Sequence, residues 1–141
     1  MTDSVFDLDT SSLADEGVWC RLVHPVSGAA LAARGLPVRI RVLGIDGERF
    51  GAVRRRIAGR RGEYLLTNRG RPDPEMEAAL DLDLLAGATV GWENVLLPGG
   101  AAFAFTTDNA RRLYSERPWI AEQVNRFIAD RANFLKASGT N

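Results

Sequence analysis

Few side chains of this 141-residue sequence could do chemistry. His24 is the only histidine, and it precedes Pro25 in HPVSG, a segment typical of a turn. No serine, cysteine or acid stands at a spacing that would make it the partner of His24 in a nucleophile–base pair. The pattern therefore favours a structural turn residue over a catalytic histidine.

The remaining reactive groups also argue against catalysis. Cys20 follows Trp19 in a β-prone segment, which predicts a buried thiol that behaves as a small hydrophobic residue. A single cysteine allows no internal disulfide and no cysteine metal cluster. Asp81 and Asp83 diverge on a helix and do not form a carboxylate pair. Because CxxC, HExxH, Walker and GxGxxG motifs are also missing, we predict a non-enzymatic protein without cofactor or metal.

The charges balance in number but are segregated along the chain. Lysine and arginine together number 18, as do aspartate and glutamate. Residues 1–17 contain five acids and no base, residues 18–71 twelve arginines and three acids, and residues 72–141 six bases and ten acids. A positive middle between negative ends can pair internally, dock an acidic partner or touch nucleic acid.

The strongest basic feature is the segment RFGAVRRRIAGRR. Its basic patch consists of Arg49, Arg54, Arg55, Arg56, Arg60 and Arg61. Phe50, Val53 and Ile57 recur on one helical face, and the arginines lie mostly off that face. The interleaved aromatic residues of single-strand readers are missing, and the pI of about 6.6 is low for a nucleic-acid domain. The favoured interpretation is that these arginines form a solvated helix face that pairs with acidic segments of the same chain. Docking of an acidic protein partner is the second alternative, and binding of nucleic acid is the third.

In the first half of the chain, apolar and polar residues alternate as in the strands of a small sheet. Residues 17–23 and 36–44 are predicted strands that could pair antiparallel. In the second strand Ile40 lies on the apolar side, whereas Arg39 and Arg41 form a wet, basic face.

Helices follow this sheet. Asp46 is a plausible N-cap for the arginine-rich helix, which should end near residues 59–62. Pro74 suits the first turn of the next helix. Its segment ALDLDLL also alternates as in a strand, but the acidic start and the length favour helix. WENVLLPGGAAFAFT then predicts two extended pieces around a Pro-Gly-Gly turn, a small hairpin or a buried clasp.

Two helices are predicted to close the chain. Thr106 is a good N-cap for a helix over residues 107–116, and Pro118 can start another over about 119–136. Arg131 falls inside the apolar stripe of that last helix. Its guanidinium must reach out to solvent, pair with an acid or meet another chain.

The elements together predict an α+β fold, with a small antiparallel sheet from the N-terminal half packed against three to four helices and a C-terminal helical hairpin. We expect a flexible acidic segment over 1–16, one domain over 17–136 and a flexible tail over 137–141. VFDLD, near the start, is either a frayed terminus or a short docking segment. No membrane span is predicted, since no apolar run reaches roughly 18 residues. The start of the chain lacks a signal peptide's basic region, so a cytoplasmic site is expected.

Aromatic residues flank the closing helices. Such residues are usually core or rim, but aromatic and arginine side chains also dominate protein interfaces. The candidate partner-binding surface is Trp92, Arg111, Tyr114, Trp119 and Arg131.

Three segments, in order, resemble a known family. They are VHPVSGAAL, PVRIRVLGIDGERF and the long segment from GATVGWENVLLPGG to DRANFL. Together these features resemble tail assembly chaperones of long-tailed bacteriophages and prophages, over about residues 17–135. One departure is Gly47, since the family pattern has a serine after Asp46.

The resemblance implies a protein that binds the tape-measure protein in the cytoplasm of the bacterial host. It would keep the long hydrophobic helices of that protein soluble, help tail-tube subunits to assemble, and be absent from the finished virion. The alternatives are a structural tail or head–tail joining protein of the virion, and an arginine-rich nucleic-acid-binding module. The oligomeric state stays open.

Overall fold

The structure of the protein, a computed structural model, describes residues 4–136. In chain order its elements are α1 (Ser12–Glu16), β1 (Val18–Arg21), β2 (Ala32–Ala33), β3 (Leu36–Pro37), β4 (Arg39–Val42), α2 (Glu48–Thr67), α3 (Pro74–Gly87), β5 (Thr89–Glu93), α4 (Thr107–Glu116) and α5 (Pro118–Ala129), with 3-10 turns at Val5–Asp7 and Arg131–Phe134. The predicted α+β class is confirmed. Over residues 4–136, no helix is both long and apolar enough to cross a bilayer. The predicted tail, 137–141, lies outside the described residues, as do residues 1–3.

The central sheet is antiparallel and has the strand order β1-β4-β5. β1 and β4 pair as expected, with Cys20 opposite Ile40, and Trp92 of β5 pairs with Ile40 from the other side. β5 comes from the second half of the chain, which the sequence patterns did not indicate. It satisfies the backbone groups along the second edge of β4.

The core lies between one face of this sheet and the helices. Ile40 and Val42 are completely buried, and they belong to one cluster with Tyr114 of α4 and Val124 of α5. Cys20 is in the same cluster, which confirms the predicted buried thiol. Burial raises the pKa of Cys20 to about 11, so the nucleophilic thiolate is disfavoured.

Part of the acidic lead-in, residues 1–16, belongs to the core. α1 buries Ala14 completely, and the Ala14 carbonyl accepts a hydrogen bond from Gly44 N–H at 3.0 Å. The carboxylate of Asp9 caps the approach to α1 by accepting from Ser11 N–H at 2.9 Å. The expectation of flexibility up to residue 16 is therefore wrong for α1, because a distant part of the chain holds it.

The start of α2 differs from the predicted cap. Gly47, not Asp46, is the N-cap residue, and it offers no side chain. The carboxylate of Asp15 caps the helix instead by accepting from Arg49 N–H at 2.8 Å. A Cβ atom on Gly47 would lie 3.0 Å from the carbonyl carbon of Ala14, so the backbone at Gly47 packs closely against α1.

The end of α2 lies beyond the predicted stop at residues 59–62. The helix continues to Thr67 because its last turns pack against α3. Tyr64, half-buried, donates its hydroxyl hydrogen bond to the carboxylate of Glu77. This tertiary contact outweighs the low helix propensity of the two glycines.

α3 is the helix that the ambiguous ALDLDLL segment predicted. The Asp73 carboxylate accepts from Glu75 N–H at 3.1 Å, and Pro74 occupies the first turn. Leu80 is buried against Val53 and Ile57 of α2, and Leu85 is buried in the main core cluster. The acidic first turn was therefore the correct signal.

The closing helices follow the prediction at three of their four ends. The Thr106 hydroxyl accepts from Asn109 N–H at 2.9 Å at the start of α4, and Pro118 opens α5. However, α5 ends at Ala129, well before the predicted residue 136. Arg131 therefore lies in a 3-10 turn and not within an apolar helical stripe.

Candidate functional site

Three of the five predicted partner-binding residues serve the fold itself. Tyr114 is 1% exposed, and its hydroxyl shares a 2.6 Å hydrogen bond with Thr89 Oγ1. Burial raises the pKa of Tyr114 well above its usual range. Arg111 Nε lies 2.6 Å from a carboxylate oxygen of Asp83. Tyr114 is therefore a core residue, and Arg111 fastens α4 to α3.

Arg131, the third, is explained by an internal ion pair. Its Nε and Nη2 lie 2.7 and 3.1 Å from the two carboxylate oxygens of Asp46. These bonds, helped by one from Thr10 at 2.7 Å, lower the pKa of Asp46. Of the three options that the sequence allowed, the structure selects pairing with an acid.

The two tryptophans have different surroundings. Trp119 is half-buried and packs against the main core cluster. Trp92 donates its indole N–H to the Phe103 carbonyl at 2.7 Å. The Trp92 ring stacks on Phe103 at 5.5 Å and meets the edge of Phe105 at 5.1 Å. Trp92 is thus the member of the predicted set that borders an accessible surface, which is described below.

Three of the six arginines of the basic patch pair with acids of α2 or α3, and two others make different contacts within the molecule. Arg55 lies 3.2 Å from Glu48, Arg60 2.8 Å from Asp83, and Arg61 2.8 Å from Glu77, while Arg49 donates to the Asp15 carbonyl at 3.0 Å and Arg54 lies over the Phe50 ring at 5.6 Å. Burial alone would raise the pKa of Asp83, but hydrogen bonds from Arg60 and Arg111 outweigh it and lower that pKa. This arrangement agrees with the favoured interpretation of a helix face paired with acidic segments.

The accessible apolar surface lies in residues 94–105, which we call the clasp. Its two extended pieces are joined by hydrogen bonds from Phe103 N–H to the Val95 carbonyl at 2.9 Å and from Leu97 N–H to the Ala101 carbonyl at 2.7 Å. The tight turn between the two pieces contains Gly99 and Gly100, whose φ values are 96° and 97°. Glycine adopts such positive φ values without steric cost. The sequence left open a small hairpin or a buried clasp, and these hydrogen bonds show a small hairpin.

Contacts from the first half of the chain fix the clasp in place. Asn94 Nδ2 donates to the Pro37 carbonyl at 2.7 Å, and Arg34 Nη2 donates to the Gly100 carbonyl at 2.6 Å. The clasp is therefore tied at its base and at its tip to the β2–β3 ribbon.

Two grooves flank the clasp and share Val95, Leu96 and Phe103 in their walls. The first, of about 350 Å³, lies towards the β2–β3 ribbon and is bordered by Trp92 and Leu36. The second, of about 320 Å³, lies towards α4. Phe103, between them, is half-buried, and Leu36 is 55% exposed. Apolar concavities of this size suit the side chains of a peptide or helix.

Arginines border both grooves, and we call Arg34, Arg112 and Arg117 the basic rim. Arg112 lies over the Phe103 ring at 5.3 Å and pairs with Glu116 at 2.8 Å, with both side chains about half exposed. The site therefore combines an apolar floor with a mainly positive edge, which suits an apolar partner segment with acidic flanks.

A second accessible surface is the face of the sheet opposite the helices. The guanidinium of Arg39 lies 4.4 Å from the centre of the Trp19 ring, and that of Arg41 lies 5.8 Å from it. Arg39 also pairs with Glu93 at 2.6 Å, which lowers the pKa of the Glu93 carboxyl. This is the wet, basic face that the alternation in β4 predicted.

His24 occupies the turn that its sequence predicts. Its Nδ1 accepts from Val26 N–H and Ser27 N–H, both at 3.1 Å. Among residues 4–136, histidine, cysteine and acidic side chains form no group of three placed to hold a metal ion.

Sequence reasoning missed the clasp as a site, although a signal was present. VLLPGGAAFAF holds more apolar residues than a surface hairpin of its length needs. No protein-family model, curated protein sequence or solved structure matches this chain.

Proposed function

We propose that this protein is a non-enzymatic assembly chaperone of phage tails, which binds the tape-measure protein in the cytoplasm of the bacterial host. Two independent lines support the proposal. One is the ordered set of segments over about residues 17–135 that resembles tail assembly chaperones. The other, which carries the proposal, is the pair of apolar grooves on either side of Phe103.

A chaperone of this kind must cover the apolar surface of its partner's helices and must still release that partner. Shallow grooves with an apolar floor and a polar edge do so, because the floor removes apolar side chains from water and the edge limits the buried area. Leu96 and Phe103 line both grooves, so a helix laid across the clasp would contact both.

The proposal is tested by co-expression with the tape-measure protein of the same phage or prophage. We expect the wild-type chain to raise the soluble yield of that protein and to co-purify with it. Leu96→Asp places a charge in both grooves, and Ala102→Trp fills the first groove from an exposed position. Each should reduce the yield and the co-purification.

Val26→Asp is the matched control, because Val26 is 89% exposed in the turn after His24 and lines neither groove. Circular dichroism must show that all variants keep the wild-type fold. A wild-type chain that neither co-purifies with the tape-measure protein nor changes its solubility would refute the proposal. Stoichiometric amounts of the chain in purified virions, measured by mass spectrometry, would favour the alternative of a structural tail or joining protein.

A further inference from the structure

The N-terminal arm, residues 4–8, exposes apolar side chains that the fold does not use. Val5 is 77% exposed, Phe6 93% and Leu8 54%; Val5 and Phe6 lie in a short 3-10 turn, and Leu8 follows it. Single exposed apolar residues are ordinary, but three within five residues form a concentrated apolar surface. Asp7 stands among them and is also exposed. The arm is therefore an apolar segment with an acidic character.

The arm complements the clasp grooves in both apolar character and charge. Once the 3-10 turn opens to an extended chain, Phe6 and Leu8 point to the same side about 7 Å apart, so each can enter one of the two grooves beside Phe103. The basic rim would face the Asp7 carboxylate. Arg34 and Arg117 each donate to a backbone carbonyl, which leaves further guanidinium N–H groups free to donate to a carboxylate.

The arm is too short to reach the clasp of its own molecule. The Asp9 carbonyl accepts from Lys136 N–H at 3.0 Å, and Thr10 bonds to Asp46, so the root of the arm is held beside the Gly44 end of β4. The clasp is tied to Pro37 at the other end, seven residues away along a largely extended run of about 23 Å. From Asp9 to Phe6 the chain spans at most about 10 Å.

We infer that the arm of one copy of this protein docks into the clasp grooves of a second copy, with Phe6 and Leu8 in the two grooves and Asp7 against the basic rim. Because arm and clasp are different surfaces, the contact is head-to-tail, and a docked pair keeps one free arm and one free clasp. The chain would therefore associate progressively as its concentration rises. This self-association does not depend on which client the clasp binds.

The test measures the mass of the full-length protein by sedimentation velocity and by light scattering after size exclusion, over a wide concentration range. Wild-type protein should grow in mass with concentration. Phe6→Asp removes the anchor of the arm, and Arg112→Glu reverses a charge of the rim. Each should weaken association about tenfold or more, and Val26→Asp should match the wild type. Phe6 and Arg112 are exposed, so the fold should persist in both variants.

A mixture of the two variants separates head-to-tail docking from other modes. Phe6→Asp protein keeps a working clasp and Arg112→Glu protein keeps a working arm, so the mixture should form a one-to-one dimer and nothing longer. A wild-type chain that stays monomeric, a Phe6→Asp variant that associates like the wild type, or a mixture that stays monomeric would each overturn the inference. Binding to the tape-measure protein is measured in a separate experiment. Loss of that binding is therefore distinguishable from loss of the mixed dimer.

Discussion

The α2–α3 hairpin carries the densest charge of the chain, whereas the clasp carries its densest run of small and apolar residues. In the hairpin, Arg60 and Arg61 reach acids on α3, so charge that looks available in the sequence is already paired. In the clasp, Leu96 and Phe103 look like core residues but line open grooves. The charged hairpin, which its composition suggests is open to partners, is thus largely satisfied internally. The apolar clasp, which its composition suggests is buried, is thus open to solvent.

This difference shows which feature of a sequence indicates an open apolar surface. Arginines at helical spacing can pair with acids of a neighbouring helix at little cost, because long side chains reach across the gap. A short hairpin has two sides and cannot bury apolar residues on both of them. Apolar residues in excess of what one side can bury are therefore the more informative signal.

The largest expected effect on stability comes from replacing a leucine by alanine, compared between the α2–α3 hairpin and the clasp. Leu80 is 1% exposed between α2 and α3, so Leu80→Ala should lower the free energy of unfolding by about 2–5 kcal/mol. Leu96 is half-buried, and Leu96→Ala should cost no more than about 1 kcal/mol. Urea denaturation measures both. Equal losses would mean that the clasp is part of the core and would remove the contrast.

A medium effect is expected at Asp83, where Arg60 and Arg111 meet. Asp83→Asn should lower the free energy of unfolding by about 1 kcal/mol, because both arginine partners are over 40% exposed and solvent screens the pairs. The control is Asp81→Asn, an exposed carboxylate on the same helix. It should stay within about 0.5 kcal/mol of the wild type.

The effect at Asp83 should depend on pH with a defined sign. The folded-state pKa of Asp83 lies below its ordinary value of 3.8, so its ionisation stabilises the folded state. The difference between wild type and Asp83→Asn should be complete above about pH 5 and should fade as the pH drops through the folded-state pKa. A difference that persists unchanged in acid would show that the ion pairs do not cause it.

The smallest effects on stability come from reversing one exposed charge in each region. Arg55 pairs with Glu48 and Arg112 with Glu116, and all four side chains are more than half exposed. Arg55→Glu and Arg112→Glu should each change the free energy of unfolding by less than about 0.5 kcal/mol. Only Arg112→Glu should weaken co-purification with the tape-measure protein, by about three- to tenfold.

The opposite pattern would reverse the comparison. Salt-dependent DNA binding that Arg55→Glu weakens and Arg112→Glu leaves unchanged would make the α2–α3 hairpin the functional surface. It would support the nucleic-acid-binding alternative.

The elements were predictable where the signal is local. Thr106 and Pro118 mark helix starts through their own backbone chemistry, and alternation in β4 identifies a strand with one basic face. Prediction failed where a distant residue decides. Asp15 caps α2 in place of Asp46, and the hydrogen bond from Tyr64 of α2 to Glu77 of α3 holds α2 together past its glycines.

The candidate site was less predictable than the fold. Of the five proposed partner-binding residues only Trp92 borders the clasp grooves, because Tyr114 lies in the core and Arg111 and Arg131 have acidic partners. Those acids are 28 and 85 residues away in sequence. No local pattern reports that an arginine at such a distance is already paired.

By itself the sequence determined the helices and strands with local caps, the segregation of charge and the burial of Cys20, because each depends on neighbouring residues or on side-chain periodicity. Only the tertiary structure decided which arginines find acids, that residues 12–16 join the core, and that the clasp opens a groove on each side. Those outcomes depend on which distant surfaces meet, and that is settled by the packing of the whole chain.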